Sequence, residues 1–233
     1  MLGIVVSLPQ ELTGLTRQPI AVGTWKAITD NTLVALSGMG AERAHKAGAV
    51  LISQGAKALL SWGCAAALDD RIAPGCLIIP ERIIGASGEV HKVNSEWHQR
   101  LYKTLERKHP VHTEALVESD VIMKTAGEKR ALAKRTQAAA TDMESAAQAR
   151  LAQEHGIPFM AIRAIVDTIS TDIPENVLQA VDPQGNISLW KLLAGSCLVP
   201  ADWIKILQLG IQFSAARRTL KKSSKLVLAA SQF

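Results

Sequence analysis

Short apolar runs alternate along the chain with longer stretches in which apolar positions recur at helical spacing. Leu2–Leu8, Thr32–Ser37, Lys57–Trp62, Cys76–Ile84 and Ile157–Ile165 are apolar, several are β-branched, and most are bounded by Gly or Pro. They read as buried strands. Between them, Ala41–Gln54, Ser95–Arg107, Gly127–Lys134 and Met143–His155 read as helices, with Ser95 as an N-cap and Gly156-Ile157-Pro158 as a stop. This alternation predicts an α/β fold with a mixed, mainly parallel central sheet flanked by helices. A turn-rich break at Asp182-Pro183-Gln184-Gly185-Asn186 divides the expected α/β domain, residues 1–185, from a helical extension, residues 186–233. In that extension Trp203, Ile206, Leu207, Ile211 and Phe213 fall broadly on one helical side, and the segment then becomes basic.

Composition narrows the picture. The 233 residues suit one sizeable domain, and 48% hydrophobic residues supply its core. Three cysteines, Cys64, Cys76 and Cys197, are odd in number and lack CxxC spacing, which points to a reducing compartment and away from a zinc site. The start, Met1–Val6, is apolar but short and without a basic flank, so it reads as a first strand and not a signal peptide. Net charge is +5, yet six basic residues and no acidic ones lie beyond Trp203, leaving about −1 for the rest. Basicity confined to one tail, with 4% aromatic residues, argues against a nucleic-acid partner.

Ligands of open α/β sheets gather at the carboxyl ends of strands. Those ends carry Glu11 after the first strand, Ser37-Gly38-Met39-Gly40, Gly63-Cys64-Ala65-Ala66, Asp142-Met143-Glu144 and Arg163-Ala164-Ile165-Val166-Asp167. Each has an ordinary structural reading beside the functional one. Gly38-x-Gly40 makes a tight strand-to-helix turn, Glu11, Asp142 and Glu144 suit helix starts, and Arg43 suits a solvated helix face. Asp167 stands apart, because a carboxylate just past a buried strand needs a partner or a task. No His/Cys array has metal-ligand spacing, so no metal is expected.

The order of these pieces resembles the purine nucleoside phosphorylase and methylthioadenosine/S-adenosylhomocysteine nucleosidase superfamily. The resemblance rests on Thr141-Asp142-Met143-Glu144-Ser145-Ala146-Ala147, then Ile157-Pro158-Phe159 and Arg163–Asp167, with Ser119-Asp120-Val121-Ile122-Met123 in support, and it covers roughly residues 2 to 170. It implies cleavage of an N-glycosidic bond by hydrolysis or phosphorolysis. Asp167 would protonate nitrogen 7 of the purine, and Glu11 would position and deprotonate a water. Met143 and Glu144 would hold the ribose, and Ile122, Met123, Cys64 and Ala65 would line the base slot. Gly40 and Arg43 are the candidate phosphate-binding groups, and inorganic phosphate is the one small co-substrate implied, with no cofactor. The sequence departs from the phosphorylase pattern where Ser61 replaces an arginine, Cys64 a serine, and Ala66 and Ala67 glycines.

The runs Gly38–Ala44 and Ser61–Leu68, with the basic tail, are similar to the hopanoid-associated phosphorylases. That resemblance implies a lipid-linked adenosine, adenosylhopane, as substrate, with methylthioadenosine or S-adenosylhomocysteine as the alternative. The superfamily resemblance implies a homo-oligomer, expected on the cytoplasmic side; the tail either makes peripheral contact with the inner membrane face or packs as a helix on the domain or a sister subunit with its basic end in solvent. A non-catalytic nucleoside- or lipid-binding module is the rival reading, and it has no need of Glu11, Glu144 and Asp167 together.

Overall fold

A computed structural model describes residues 1–175, 177 and 200–231. Among the described residues eleven strands form one mixed sheet. The centre is built from β1 (Leu2–Val6), β3 (Thr32–Leu36), β4 (Ala58–Ala67) and β11 (Phe159–Asp167), which pair in parallel in the order β3-β1-β4-β11. These strands are the apolar runs of the sequence, and burial on both faces is what their lack of alternation requires. An antiparallel strand, β2 (Thr24–Thr29), closes one edge. β4 also receives β10 (Ala140–Asp142), followed by β9 (Leu116–Glu118), β6 (Arg82–Ile84) and β7 (Val90–Lys92). β5 (Leu77–Ile78) pairs with β11 and with β8 (Val111–His112).

Alternate residues of the central strands feed two cores. One receives Val5, Leu33, Leu59 and Ala161 and is covered by α1 (Ala41–Ser53) and α4 (Ser145–Glu154). The other receives Ile4, Val34, Leu60, Trp62 and Ile162 and is covered by α2 (Ser95–Leu105) and α5 (Pro200–Ala230). Another helix, α3 (Ala126–Thr136), packs Leu132 against Leu68 and Val117 in a smaller cluster. Small residues let α1 and α4 approach: a methyl group at Gly48 would stand 2.7 Å from the Leu151 side chain.

Four local differences from the sequence reading have physical causes. Pro80 has no amide to give a ladder, and the expected strand Cys76–Ile84 is split there into β5 and β6. Gly63–Ala67, beyond the end of the expected strand Lys57–Trp62, continues β4, where it pairs with Arg163–Asp167 of β11. Asn94, not Ser95, caps α2, its side chain accepting from the Trp97 amide at 2.9 Å. The exposed strand β2 was not anticipated, since its side chains alternate around a polar edge.

Of the two readings of the extension, packing on the domain describes its distal half. Ala216, Leu220 and Val227 of α5 are buried in the second core, and Trp97 Nε1 donates to Ser231 Oγ at 3.0 Å. Arg217, expected on a lipid-facing basic side, instead donates to Gln10 O and Thr13 Oγ1. The exposed apolar positions are Ile204, Leu207 and Ile211, at 73%, 66% and 60% exposure, while Ile206 and Phe213 are half-buried. The expected boundary at residue 185, the segment Ile187–Leu198 and the side chain of Trp203 lie outside the described residues.

Candidate active site

Three chain reversals bring carboxylates to the same end of the sheet. A 3-10 turn, Pro9–Leu12, follows β1 and carries Glu11; its Oε2 accepts from the Leu8 amide at 2.9 Å and its Oε1 from the Cys64 amide at 2.8 Å. Gly63 is the residue that admits it, since a methyl group there would stand 2.8 Å from Glu11 Oε1. Glu144 sits between β10 and α4, with Oε1 accepting from the Gly40 amide at 2.9 Å. Asp167 ends β11. Together they line a cavity of about 200 Å³ with Leu8, Met39, Cys64, Ala65, Ala66, Val121, Ile122, Met123, Thr141, Asp142, Met143, Val166 and Ile173. Larger clefts exist elsewhere, of about 600, 470 and 390 Å³; the first and last are lined by no carboxylate, and the second by Glu118 alone, so none gathers several acids.

Burial dominates the acid–base character of the pocket. It raises the pKa of Glu11 against the opposing pull of Arg163 and two backbone amides. It raises Glu144 to about 7, reinforced by the neighbouring Asp142 charge and opposed by Arg163 and the Gly40 amide. Asp167 is also raised, by burial, with Lys129 working in the opposite direction. The Cys64 thiol is pushed well up by burial and by Glu11, so it is a neutral wall of the pocket and not a nucleophile.

Beneath the floor lies a buried ion pair. Arg163, 2% exposed, donates through Nε to Asp142 Oδ2 at 2.8 Å and through Nη2 to Ser61 Oγ and Ser145 Oγ at 2.6 and 2.9 Å, and its Nη2 lies 2.6 Å from Asp142 Oδ2 as an ion pair. Ser145 Oγ donates to the same Asp142 oxygen. Asp142 is therefore committed to anchoring Arg163 and the start of α4. Its charge partner places one cation under Glu11 and Glu144.

Of the residues expected at a site, Glu11, Asp167, Met143, Glu144, Ile122, Met123, Cys64 and Ala65 all line this cavity. Two do not. Arg43 lines the separate 390 Å³ cleft with Trp25 and Lys46, and the Gly40 amide is spent on Glu144. The expected anion site is thus not assembled at the carboxylates, because α1 turns Arg43 to the sheet edge beside β2. Ser61, at the position where an arginine was sought, is buried on Arg163 and Gln148. Three groups escaped the sequence reading: Arg163 as a buried cation, Lys129 behind Asp167, and Thr141, whose Oγ1 is buried in the pocket wall and unpartnered among the described residues. Arg163 and Lys129 look like ordinary charged residues in sequence, and only a charge inside an apolar run marks the first. Among the described residues no group of three or more His, Cys, Asp or Glu is arranged to hold a metal.

The raised pKa of Glu144 has a consequence for stability. The folded chain holds a proton on Glu144 up to about pH 7 that the unfolded chain releases near the ordinary glutamate value of 4.5. The folded state binds more protons in that window, so stability falls as pH rises from about 4.5 to about 7. In Glu144→Gln this component vanishes. Urea midpoints at pH 5 and pH 7.5 should differ less in the variant than in the wild type, and an unchanged difference would remove Glu144 as its source.

Comparison with known proteins places this arrangement. The family model described as the phosphorylase superfamily matches residues 2–189. Among solved structures, the methylthioadenosine/S-adenosylhomocysteine nucleosidase of Helicobacter pylori, in complex with butyl-thio-DADMe-Immucillin-A, superposes with a TM-score of 0.73 at 16% identity, covering 98% of this chain and 96% of its own. The futalosine hydrolase of Helicobacter pylori gives 0.69 at 15% identity, with 98% and 96% covered. The Campylobacter jejuni methylthioadenosine/S-adenosylhomocysteine nucleosidase gives 0.69 at 14%, with 98% and 97% covered. These identities establish a shared fold. No curated protein sequence matches the chain.

Proposed function

The chain belongs to the phosphorylase superfamily, and from that premise we propose that it hydrolyses the N-glycosidic bond of an adenosine-type nucleoside and releases adenine. One observation carries the reading: Glu11, Glu144 and Asp167 share a buried pocket whose lining contains no Lys or Arg. A departing purine needs a proton, and the developing sugar cation needs nearby negative charge. Asp167, with its pKa raised by burial, is the acid that protonates nitrogen 7 as the C1′–N9 electron pair moves into the base. Glu144, fixed by the Gly40 amide, faces the ribose hydroxyls with Met143 against the sugar. Glu11, held by two amides, accepts a proton from the water that attacks C1′. The products are adenine and the free sugar.

Water is favoured over phosphate on electrostatic grounds. A phosphate dianion in this cavity would face the acidic side chains of Glu11 and Glu144 beside the protonated Asp167 with no cation in the lining, and Arg43 lines another cleft. The test is a product assay on methylthioadenosine and on an adenosine with a long 5′-alkyl chain, each with and without phosphate. Free sugar formed regardless of phosphate is the expected result. Phosphate-dependent sugar 1-phosphate would overturn the hydrolytic reading, and no adenine from either would overturn the nucleosidase reading itself.

Within this class the substrate we propose is a lipid-linked adenosine of the adenosylhopane kind, with methylthioadenosine or S-adenosylhomocysteine as the alternative. The support is an apolar rim, where Val121 is 61% exposed beside Ile122, Met123 and Ile173, and an exposed apolar row on α5. Ile204, Leu207 and Ile211 share one helical side, with Arg218 and Lys222 exposed further along. No helix among the described residues is long and apolar enough to cross a membrane, so contact would be peripheral. Because the distal half of α5 belongs to the core, the informative variant is a triple Ile204→Ser, Leu207→Ser, Ile211→Ser and not a truncation. Its co-sedimentation with anionic vesicles should fall at least about tenfold, since each exposed aliphatic side chain contributes about 1.5–3 kcal/mol when buried. Cleavage of methylthioadenosine should be retained, and unchanged sedimentation would discard the membrane contact. Self-association of the chain is proposed by family likeness and is read by sedimentation velocity.

A further inference from the structure

Resting on the assignment of Asp167 as general acid, we infer that Lys129 is the positioning residue that fixes which carboxyl oxygen carries the transferable proton. Lys129 lies on the first turns of α3 and is 0% exposed. An ammonium has three protons to give, and each has a fixed acceptor: Thr168 O at 2.9 Å, Thr171 O at 2.9 Å and Oδ2 of Asp167. Two of the three anchors are backbone carbonyls of the loop that follows β11. The ammonium therefore cannot swing with the carboxyl; the carboxyl must orient to it.

The local fold is organised to hold this cation. Thr125 and Glu128 form a capping box at the start of α3, with the Lys124 and Thr125 amides both donating to Glu128. The helix start and the loop are then stitched together, the Ala126 amide donating to Asp172 Oδ1 at 2.8 Å and the Ile173 amide to Lys124 O at 2.8 Å. A buried lysine needs such a complete set of acceptors to stay charged.

With Oδ2 occupied by a donor, a proton on that oxygen would collide with the Lys129 N–H. The proton of the acid form is confined to Oδ1, for which no donor is found among the described residues. In the reaction the Oδ1–H bond breaks, the N7–H bond forms and the C1′–N9 electron pair enters the purine. The carboxylate left behind is met at once by the ammonium already bonded to Oδ2. Lys129 thus opposes the effect of burial on Asp167 and keeps the acid strong enough to give up its proton.

Other charged groups nearby are engaged elsewhere. On the loop, Asp172 holds the Ala126 amide and Glu175 lies 3.9 Å from Lys124. On α3, Glu128 caps its own helix and Arg130 lies 3.9 Å from Asp70. On β11 and across the pocket, Arg163 is paired with Asp142, while Glu11 and Glu144 hold backbone amides.

The experiment is the pH dependence of kcat and kcat/KM in wild type, Lys129→Met, Lys129→Gln, Lys129→Arg and Asp167→Asn, with whichever nucleoside of the product assay the wild type cleaves. An acid catalyst is active below its pKa and inactive above it. Loss of the Lys129 charge raises the Asp167 pKa, so the alkaline limb should move up by about one unit or more in the Met and Gln variants. Their kcat should fall about tenfold or more with KM within about threefold, because the acid is weaker and its proton is no longer confined. Lys129→Arg, which keeps the charge, should keep the alkaline limb near its wild-type position. Lys129→Gln can still donate to a loop carbonyl and carries the readout if Lys129→Met does not fold. If Asp167→Asn is inactive while the limb stays fixed in Lys129→Gln, or if Lys129→Arg shifts it equally, the role of Lys129 is overturned. If Asp167→Asn is fully active, the general-acid assignment fails and this inference with it.

Discussion

Asp167→Asn should cleave the nucleoside at least about 10²-fold more slowly than the wild type, with the loss in kcat and not in KM. Asparagine keeps the size of the side chain and can offer nitrogen 7 a hydrogen bond from its amide, so ground-state binding of the base survives. It cannot surrender a proton, and the purine must then leave as an anion. The fold should tolerate the change, since the asparagine carbonyl can accept from Lys129 as Asp167 Oδ2 does. Lys129 loses its counter-charge, however, and a modest fall in thermal stability should accompany the kinetic effect. Circular dichroism at the assay temperature separates the two. A rate within about tenfold of wild type, from a folded variant, would remove Asp167 from the role of general acid.

Arg163→Met should be the most destabilising single change at the site. The guanidinium is 2% exposed and satisfies Asp142, Ser61 and Ser145 at once. Methionine fills part of the volume but leaves Asp142 buried with no cation, and breaking such a pair from one side costs about 3–5 kcal/mol. The damage reaches the pocket too, because Arg163 lowers the pKa of both Glu11 and Glu144 against their burial. Without it both carboxyls hold protons to higher pH, and the water-handling and cation-facing roles proposed for them weaken together. Urea unfolding of wild type, Arg163→Met, Asp142→Asn and the double variant forms a closed cycle. The double variant should recover part of the loss, since it removes the orphaned charge. If the effects of the two single changes simply add, Arg163 and Asp142 are not energetically coupled.

Much of this molecule is written in its sequence. The apolar runs at Leu2–Val6, Thr32–Leu36, Ala58–Trp62 and Phe159–Ile165 lack alternation because both faces are buried, and that alone identifies a sheet covered on each side. Acidic residues just beyond those runs fall at the carboxyl ends of strands, where a topology of parallel strands exposes chain reversals to ligands. Glu11, Glu144 and Asp167 were legible for that reason. Each lies at a boundary between an apolar run and a turn, and boundaries are visible in one dimension.

Tertiary structure decided what depends on distance between separate segments. Nothing in the sequence ties Lys129 to Asp167 across 38 positions, or Arg163 to Ser61 across 102, because a charged residue on a helix looks solvated until packing buries it. Arg43 looked available to an anion beside Gly40, yet the first turn of α1 rotates it toward β2 and gives the Gly40 amide to Glu144. The distal half of α5 read as an amphipathic appendage, since its small and polar residues, Ala216, Ser223 and Ser224, carry little hydrophobic signal. They are buried because the helix lies close against α2 and the turn bearing Glu11, where a methyl group at Gly14 would stand 2.7 Å from Ser224. The strand pattern and the boundary acids follow from local hydrophobicity and chain reversal. Which charges are paired, and hence how the pocket binds its protons, follows from packing alone.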